Sequence, residues 1–425
     1  MNQMELGVFI IKDVQFGEDT SISDNVLLVN KEELVTLLLD DGRLQGMELE
    51  IARPGESERI IHVLDVIEPR IKVEGSGEIF PGMIGGRERV GDGKTHVLRG
   101  AAVVETGQIP AVPEAIVDMS GPAAELVPFA QTCNLVLIPQ FAEGLDRIDC
   151  AAAIKMAGLK AAVYLAEASR DLKPDETETY DLPPLPDMDE EVRSLPRIAY
   201  IYQLQSQADL CEPFVYGDNA RKLLPTLLHP NELMDGAVVS GNYEMPPCFK
   251  NVTFTHQNNP VIQSLYSRHG QDLCFVGVIV ENEHSTLLDK ERSAAMAAKL
   301  AKDILGADGV IITKEGGGHA DTDLMLNCQR CEEAGVKTVL VVDEPAGPDG
   351  TAQPLSDASS DRADAFVSTG NSNEPIELPA VDRVIGGAAL AGLDLPPEGA
   401  LTVPVMMIPS ATSQVGFTRL TTVEV

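Results

Sequence analysis

Apolar positions along this chain follow two rhythms. Through about residue 107, β-branched runs at 6–12, 25–29, 47–51, 59–67 and 96–106 are separated by Gly, Asp and Pro, which predicts a β-rich first domain over 1–107. Asp40-Asp41-Gly42-Arg43 and Gly91-Asp92-Gly93 carry turn chemistry, and the glycine- and proline-bearing stretch 75–86 reads as a loop lying across another element. From 108 to 247 strands alternate with helices. The run 134–139 predicts a buried strand, the alanine-rich 147–170 a helix, and 197–203 and 235–240 two more strands. Between them, acidic residues and repeated prolines over 173–196 predict an exposed linker or wrapping arm that holds no helix.

Over 248–425 the alternation becomes regular: strand 273–280, helix 288–305, strand 309–313, helix 322–334, then strands 337–342 and 365–368. Successive strand–helix–strand units imply a parallel sheet covered on both faces. The predicted fold class is therefore α/β, a β-rich amino-terminal domain followed by α/β regions with a mainly parallel sheet in the C-terminal part. Ligands in such sheets sit beyond the carboxyl ends of the strands.

Composition narrows the classes of function. A length of 425 residues suggests two or three domains, and with 44% hydrophobic residues, 4% aromatics and no Trp the core must rest on Val, Ile, Leu, Ala and Met. A formal charge of −34 repels phosphate backbones and anionic membranes, so neither nucleic acid nor a membrane is an expected partner. No apolar run reaches about 18 residues, and Met1-Asn2-Gln3-Met4-Glu5 lacks the basic and apolar regions of a signal peptide, so a cytoplasmic location is expected. Seven cysteines, an odd number, predict buried thiols rather than a disulfide framework. Cys328 and Cys331 match a CxxC spacing inside the 322–334 helix, which favours a structural role; no second ligand pair exists for zinc, and no metal is expected.

Candidate chemistry gathers in three places. The strand ending at Thr313 runs into Lys314-Glu315-Gly316-Gly317-Gly318-His319-Ala320-Asp321-Thr322-Asp323 and then a helix, so the backbone of Gly317 and Gly318, the His319 ring and the carboxylates of Glu315, Asp321 and Asp323 converge where a ligand would lie. A helix cap at Asp321 or Thr322 accounts for the same residues equally well. His256, Asn258 and Asn259 precede Pro260 and suit a proton shuttle and amide donors, or else an Asn-Pro turn capping a helix over 261–268. Asp118 in Asp118-Met119-Ser120-Gly121-Pro122 either caps a helix or faces a ligand. Finally, Cys248 follows Met245-Pro246-Pro247, where regular structure must end. A thiol at such a turn is positioned to attack the preceding carbonyl, and the plain alternative is a small buried side chain.

The segment 116–122, the Ala157-Gly158-Leu159-Lys160-Ala161-Ala162 helix, His256-Gln257-Asn258-Asn259-Pro260 and Lys314 to Leu324, in that order, together resemble the component B proprotein of the glycine, sarcosine and betaine reductases over nearly the whole chain. That resemblance implies an oxidoreductase that cleaves a C–N bond reductively. It implies a cut before a cysteine, here Cys248, giving two subunits, the second opening with a pyruvoyl cofactor derived from that residue. The pyruvoyl carbonyl would form a Schiff base with a primary or secondary substrate amine, which a quaternary betaine cannot do. Selenium chemistry would come from partners, a selenoprotein subunit of component B and selenoprotein A, since this sequence contains no selenocysteine. A hetero-oligomer acting on glycine, sarcosine or betaine is implied, with His256 the expected base for cleavage. Pro247 stands where a less constrained Asn, Thr or Ala is expected. The remaining readings are an uncleaved scaffold relative that holds the selenoprotein, and a small amino-acid-binding α/β protein.

Overall fold

The computed structural model describes residues 3–207, 209–347, 362–417 and 420–424. Alternation of buried and exposed positions along Gln3–Ile10 and Leu44–Ala52 builds two four-stranded sheets in the amino-terminal body. One runs in the order Glu176–Asp181, Gln3–Ile10, Gly93–Arg99, Arg70–Glu74; the other runs Leu44–Ala52, Cys133–Phe141, Ala101–Thr106, Val63–Ile67. Both expected boundaries are crossed by backbone pairing, because Cys133–Phe141 joins this body while Arg197–Gln205 joins the later sheet.

Helix Arg147–Glu167 starts at Asp146, whose carboxylate accepts from the amides of Ile148 and Asp149 at 2.9 Å, and it packs its alanines against both sheets. Its Gly158 leaves room for the Glu105 side chain, since a Cβ there would stand 2.1 Å from Glu105 Oε1. A helix at Lys31–Leu38, capped by Asn30, follows the Val26–Asn30 strand in a stretch that the pattern left unassigned.

The acidic arm departs from expectation. Glu176–Asp181 is an edge strand antiparallel to Gln3–Ile10, and Glu190–Arg193 forms one α-helical turn. The prolines lie outside both elements, at 174, 183, 184, 186 and 196, so they bound local structure without forbidding it. Arg99 pairs with Glu178 at 2.5 Å and thereby anchors the arm.

The C-terminal sheet is a seven-stranded array among the described residues, ordered Thr226–Leu228, Cys274–Glu283, Arg197–Gln205, Gly309–Thr313, Lys337–Glu344, Ala365–Asn371, Thr421–Glu424. Its five inner strands are parallel and the two outer ones antiparallel. Helix Leu287–Lys299 continues as a wider π-turn over Leu300–Ile304, and helix His319–Glu333 starts three residues before the expected position. Strand structure near the expected 235–240 is confined to Val238–Val239. Cys328 and Cys331 are buried inside their helix, and all seven cysteines are buried free thiols. Among the described residues no helix is long and apolar enough to cross a membrane.

A third apolar cluster joins Ala52, Ile60 and Val63 to Leu378, Ile385 and Ile408. Arg383–Ile385 pairs with Glu58–Ile60, and beside them the fully buried Arg59 spends all its donors. It binds Asp118 through Nε and Nη2 at 2.7 and 2.9 Å, and the carbonyls of Pro397, Gly399 and Pro379 at 2.6, 3.0 and 2.8 Å. Asp118 is thus the counter-ion of a structural arginine. Arg59→Ala is expected to cost about 3–5 kcal/mol, because it strands a buried carboxylate and three carbonyls. Urea unfolding should show that loss, and limited proteolysis should cut near 379–399 faster.

Candidate functional site

Residues at the carboxyl ends of the parallel strands are far more polar than the strands themselves. The buried run of Cys274–Glu283 ends in Glu281-Asn282-Glu283, and Gly309–Thr313 runs on into Lys314-Glu315, all of them buried. Glu281 accepts from Gln203 Nε2 at 2.9 Å and from Ser293 Oγ at 3.0 Å. Glu283 Oε1 accepts from the Glu315 amide at 2.9 Å; Glu315 in turn accepts from the amides of Asn251 at 2.8 Å and Gln205 at 3.3 Å. Burial pushes Glu281 and Glu315 up to about 7 and Glu283 well above its usual range, only partly countered by these donors. His256 Nε2, Glu283 Oε2 and Asp343 Oδ2 are buried without a hydrogen-bond partner among the described residues. Such orphaned atoms cost stability unless something else meets them, which makes this end of the sheet the candidate site.

Cys248 lies at the edge of this region, fully buried in the single 3₁₀ turn Pro247–Phe249. Proline at 246 and 247 fixes the backbone and donates nothing, so the turn begins there. Burial pushes the thiol up to about 12, opposed by the nearby Thr412 hydroxyl, which also approaches the Cys248 carbonyl at 3.5 Å. Lys250 is fully buried as well, with Nζ 2.9 Å from the Leu64 carbonyl, and burial draws its ammonium down to about 8. His256 sits in the Thr253–Gln257 helix with Nδ1 2.7 Å from the Tyr202 hydroxyl, and burial lowers it to about 4, so the ring is neutral.

The other expected residues divide between inside and surface. Glu315 is inside, one hydrogen bond from Asn251 and so close in sequence to Cys248. Gly317, Gly318 and His319 are exposed on the rim. Asp321 accepts from the Gly318 amide at 2.8 Å and pairs with Lys314 at 2.5 Å, while Asp323 pairs with the buried Lys290. Asn258 accepts from Arg70 at 2.8 Å and donates to Glu68 at 3.0 Å, away from the cysteine. Asn259 caps helix Pro260–Arg268 through the amides of Val261 and Ile262, and donates to Tyr200 at 3.1 Å. Gly316 is required where it stands: its φ is +86° and a Cβ would meet Gln205 at 2.1 Å.

Several polar residues here escaped sequence reading. The Glu281-Asn282-Glu283 triplet ending an otherwise apolar strand was a usable signal; Lys250, Thr412 and Asp343 offered none, since nothing local distinguishes them. Glu315 allows a direct check. Because its folded-state value is raised to about 7, the stability it contributes is fully present below the unfolded carboxylate range and is lost as pH climbs through 7. Glu315→Gln has no such titration, so the variant should gain about 3 kcal/mol on the wild type between pH 5 and pH 8. Denaturant midpoints at the two pH values measure this, and a pH-independent difference would contradict the assignment.

The family model described as glycine/sarcosine/betaine reductase component B subunits matches residues 2–423. The chain is 47% identical, over 99% of both sequences, to "Glycine reductase complex component B subunits alpha and beta" of Acetoanaerobium sticklandii. From Peptoclostridium acidaminophilum, "Sarcosine reductase complex component B subunit alpha" is 49% identical over 90% of this chain and 89% of its own length. "Betaine reductase complex component B subunit alpha" of the same organism is 37% identical over 90% and 88%. No solved structure matches. With a fold and a site described from its own residues and this agreement end to end, the chain belongs to the family of glycine/sarcosine/betaine reductase component B subunits.

Proposed function

We propose that this chain is the precursor of the substrate-binding part of a reductase complex, cut between Pro247 and Cys248 into two subunits, the second opening with a pyruvoyl group made from Cys248. The complex reductively removes the amine of a small glycine-like substrate, with a selenoprotein partner supplying the selenium. The observation that carries this reading is the position of Cys248: a proline-primed, fully buried break at the carboxyl edge of the parallel strands, in a chain whose relatives are named for glycine, sarcosine and betaine reductase complexes.

The surroundings suit such a group. A pyruvoyl carbonyl supplies an electrophile and electron sink toward an amine. The Thr412 hydroxyl stands beside Cys248 as a donor, and Glu315 with a value near 7 exchanges a proton near neutrality. His256, neutral and bonded to Tyr202, is suited to accept a proton without first losing one. The wall of buried carboxyls at Glu281, Glu283 and Glu315 favours a cationic or hydrogen-bonding amine over an anionic ligand.

Intact-mass analysis of the purified chain tests the reading. Two fragments meeting at 247/248 are expected, the C-terminal one gaining mass with hydroxylamine or phenylhydrazine. Cys248→Ala should remain one uncut, unreactive chain. A wild-type chain that stays whole and ignores carbonyl reagents would leave the uncleaved scaffold as the better account.

A further inference from the structure

The peptide bond ahead of Cys248 is held by a segment from the far end of the chain. The Ser410 amide donates to the Pro247 carbonyl at 3.0 Å, and the Ser410 hydroxyl donates to the Lys250 carbonyl, also at 3.0 Å. Thr412 Oγ1 lies 3.5 Å from the Cys248 carbonyl oxygen, and Ser413 Oγ lies 3.4 Å from Asn251 Oδ1. Four of the five residues 247–251, all but Phe249, are thus met by three from 410–413, all buried. Ser410 holds a φ of +60°, a left-handed conformation that costs a serine energy and persists only when its surroundings enforce it. Here it turns the amide toward Pro247, and the turn is closed by Ser413 N–H donating to the Ser410 carbonyl at 3.0 Å.

We propose that 410–412 is a processing cradle: the Ser410 N–H stabilises the oxyanion formed when Cys248 Sγ attacks the Pro247 carbonyl, and the Thr412 hydroxyl stabilises the Cys248 carbonyl as the neighbouring α-proton leaves. The inference rests on the reading that the chain is cut at this bond. In the first step the C–S bond forms, the Pro247–Cys248 C–N bond breaks, and the sulfur's proton ends on the released amine, giving a thioester. In the second, the α-proton is lost and the Cβ–S bond breaks, leaving a thiocarboxylic acid on Pro247 and an aminoacryloyl end. Tautomerisation to the imine and addition of water then release ammonia and leave the pyruvoyl group. No oxidant or reductant is consumed. A donor at 3.0 Å lies within the roughly 2.7–3.1 Å range of effective oxyanion donors.

The experiment follows cutting of the full chain by intact mass in folded, monodisperse protein. Ser410→Ala, which keeps the N–H, should process within a few-fold of wild type. The same variant with lactic acid in place of the alanine, exchanging that N–H for an ester oxygen, should process about 100-fold more slowly. Equal rates for the amide and ester chains would overturn the donor. Ser410→Gly keeps the N–H and relaxes φ, so complete loss of cutting in that variant, folded, would assign the role to the side chain and equally overturn it. Thr412→Val should accumulate a species of unchanged mass that hydroxylamine cuts, leaving a hydroxamate on Pro247; wild-type processing without such a species would remove Thr412 from the cradle. If wild type and Ser410→Ala both stay whole and inert to hydroxylamine, cleavage itself fails and the cradle falls with it.

Discussion

Much of this architecture depends on one buried cation. Lys155, on the helix that covers the amino-terminal sheets, places Nζ 2.5 Å from Asp65 and 3.0 Å from Glu105, with every partner out of water. Burial alone would lower the ammonium, and the two carboxylates outweigh it, so its value is raised. The same acids reach the chain around Cys248 from both sides. Tyr243, five residues before Cys248, donates to Glu105 at 2.5 Å; Thr253, five residues after it, binds Asp65 through its amide at 2.7 Å and its hydroxyl at 2.5 Å. Removing Lys155 would leave Asp65 and Glu105 without their counter-ion in the interior, a loss far larger than that of a surface pair. The interior is therefore organised so that the chain around Cys248 is registered by electrostatics on both flanks and by apolar packing in between.

This arrangement also explains how a strongly acidic chain keeps carboxyl groups inside. Most of the excess negative charge can remain solvated, but Glu105, Glu281 and Glu315 cannot, and burial leaves each near 7 rather than in the ordinary carboxylate range. Such groups change protonation with small changes in their surroundings, a property useful at a reacting centre and costly elsewhere. The placing of Glu281 and Glu315 at the carboxyl ends of the parallel strands follows the general rule for open α/β sheets, applied here to a sheet one of whose inner strands, Arg197–Gln205, comes from before Cys248.

The parallel sheet and the long alanine-rich helix were legible because their signals are local: apolar runs of strand length, helical spacing, glycines where the chain turns. The glycine loop after Thr313 was legible as a strand-to-helix junction, yet its residues separate into a buried Glu315 and an exposed His319 because consecutive side chains leave a turn in different directions. Asn258 and Asn259 illustrate the limit. Adjacent in sequence and alike in chemistry, Asn259 caps the helix that follows it, which local spacing allows, while Asn258 joins the Arg70–Glu68 pair, whose place beside it is set by the tertiary fold far away in sequence. The acidic arm was misread for the same reason: strand pairing with Gln3–Ile10 supplies what its own composition lacks. Ser410 and Thr412 carried no signal at all, since what matters is a backbone amide direction and a hydroxyl brought to Cys248 across 164 positions.

The order of strands in the C-terminal sheet has a topological consequence. Arg197–Gln205 lies between Cys274–Glu283 and Gly309–Thr313, while Arg383–Ile385 from the far end pairs with Glu58–Ile60 near the start. Scission between Pro247 and Cys248 would produce two polypeptides that are threaded through each other, neither owning the whole seven-stranded sheet. They could not part without extracting the inner strand Arg197–Gln205, so they would travel as one body. Once unfolded, however, the nicked pair would face a second-order search for each other where the precursor faced only a first-order one. Assembly of such a molecule would be easy once and hard twice, so a cut at Cys248 would have to follow folding.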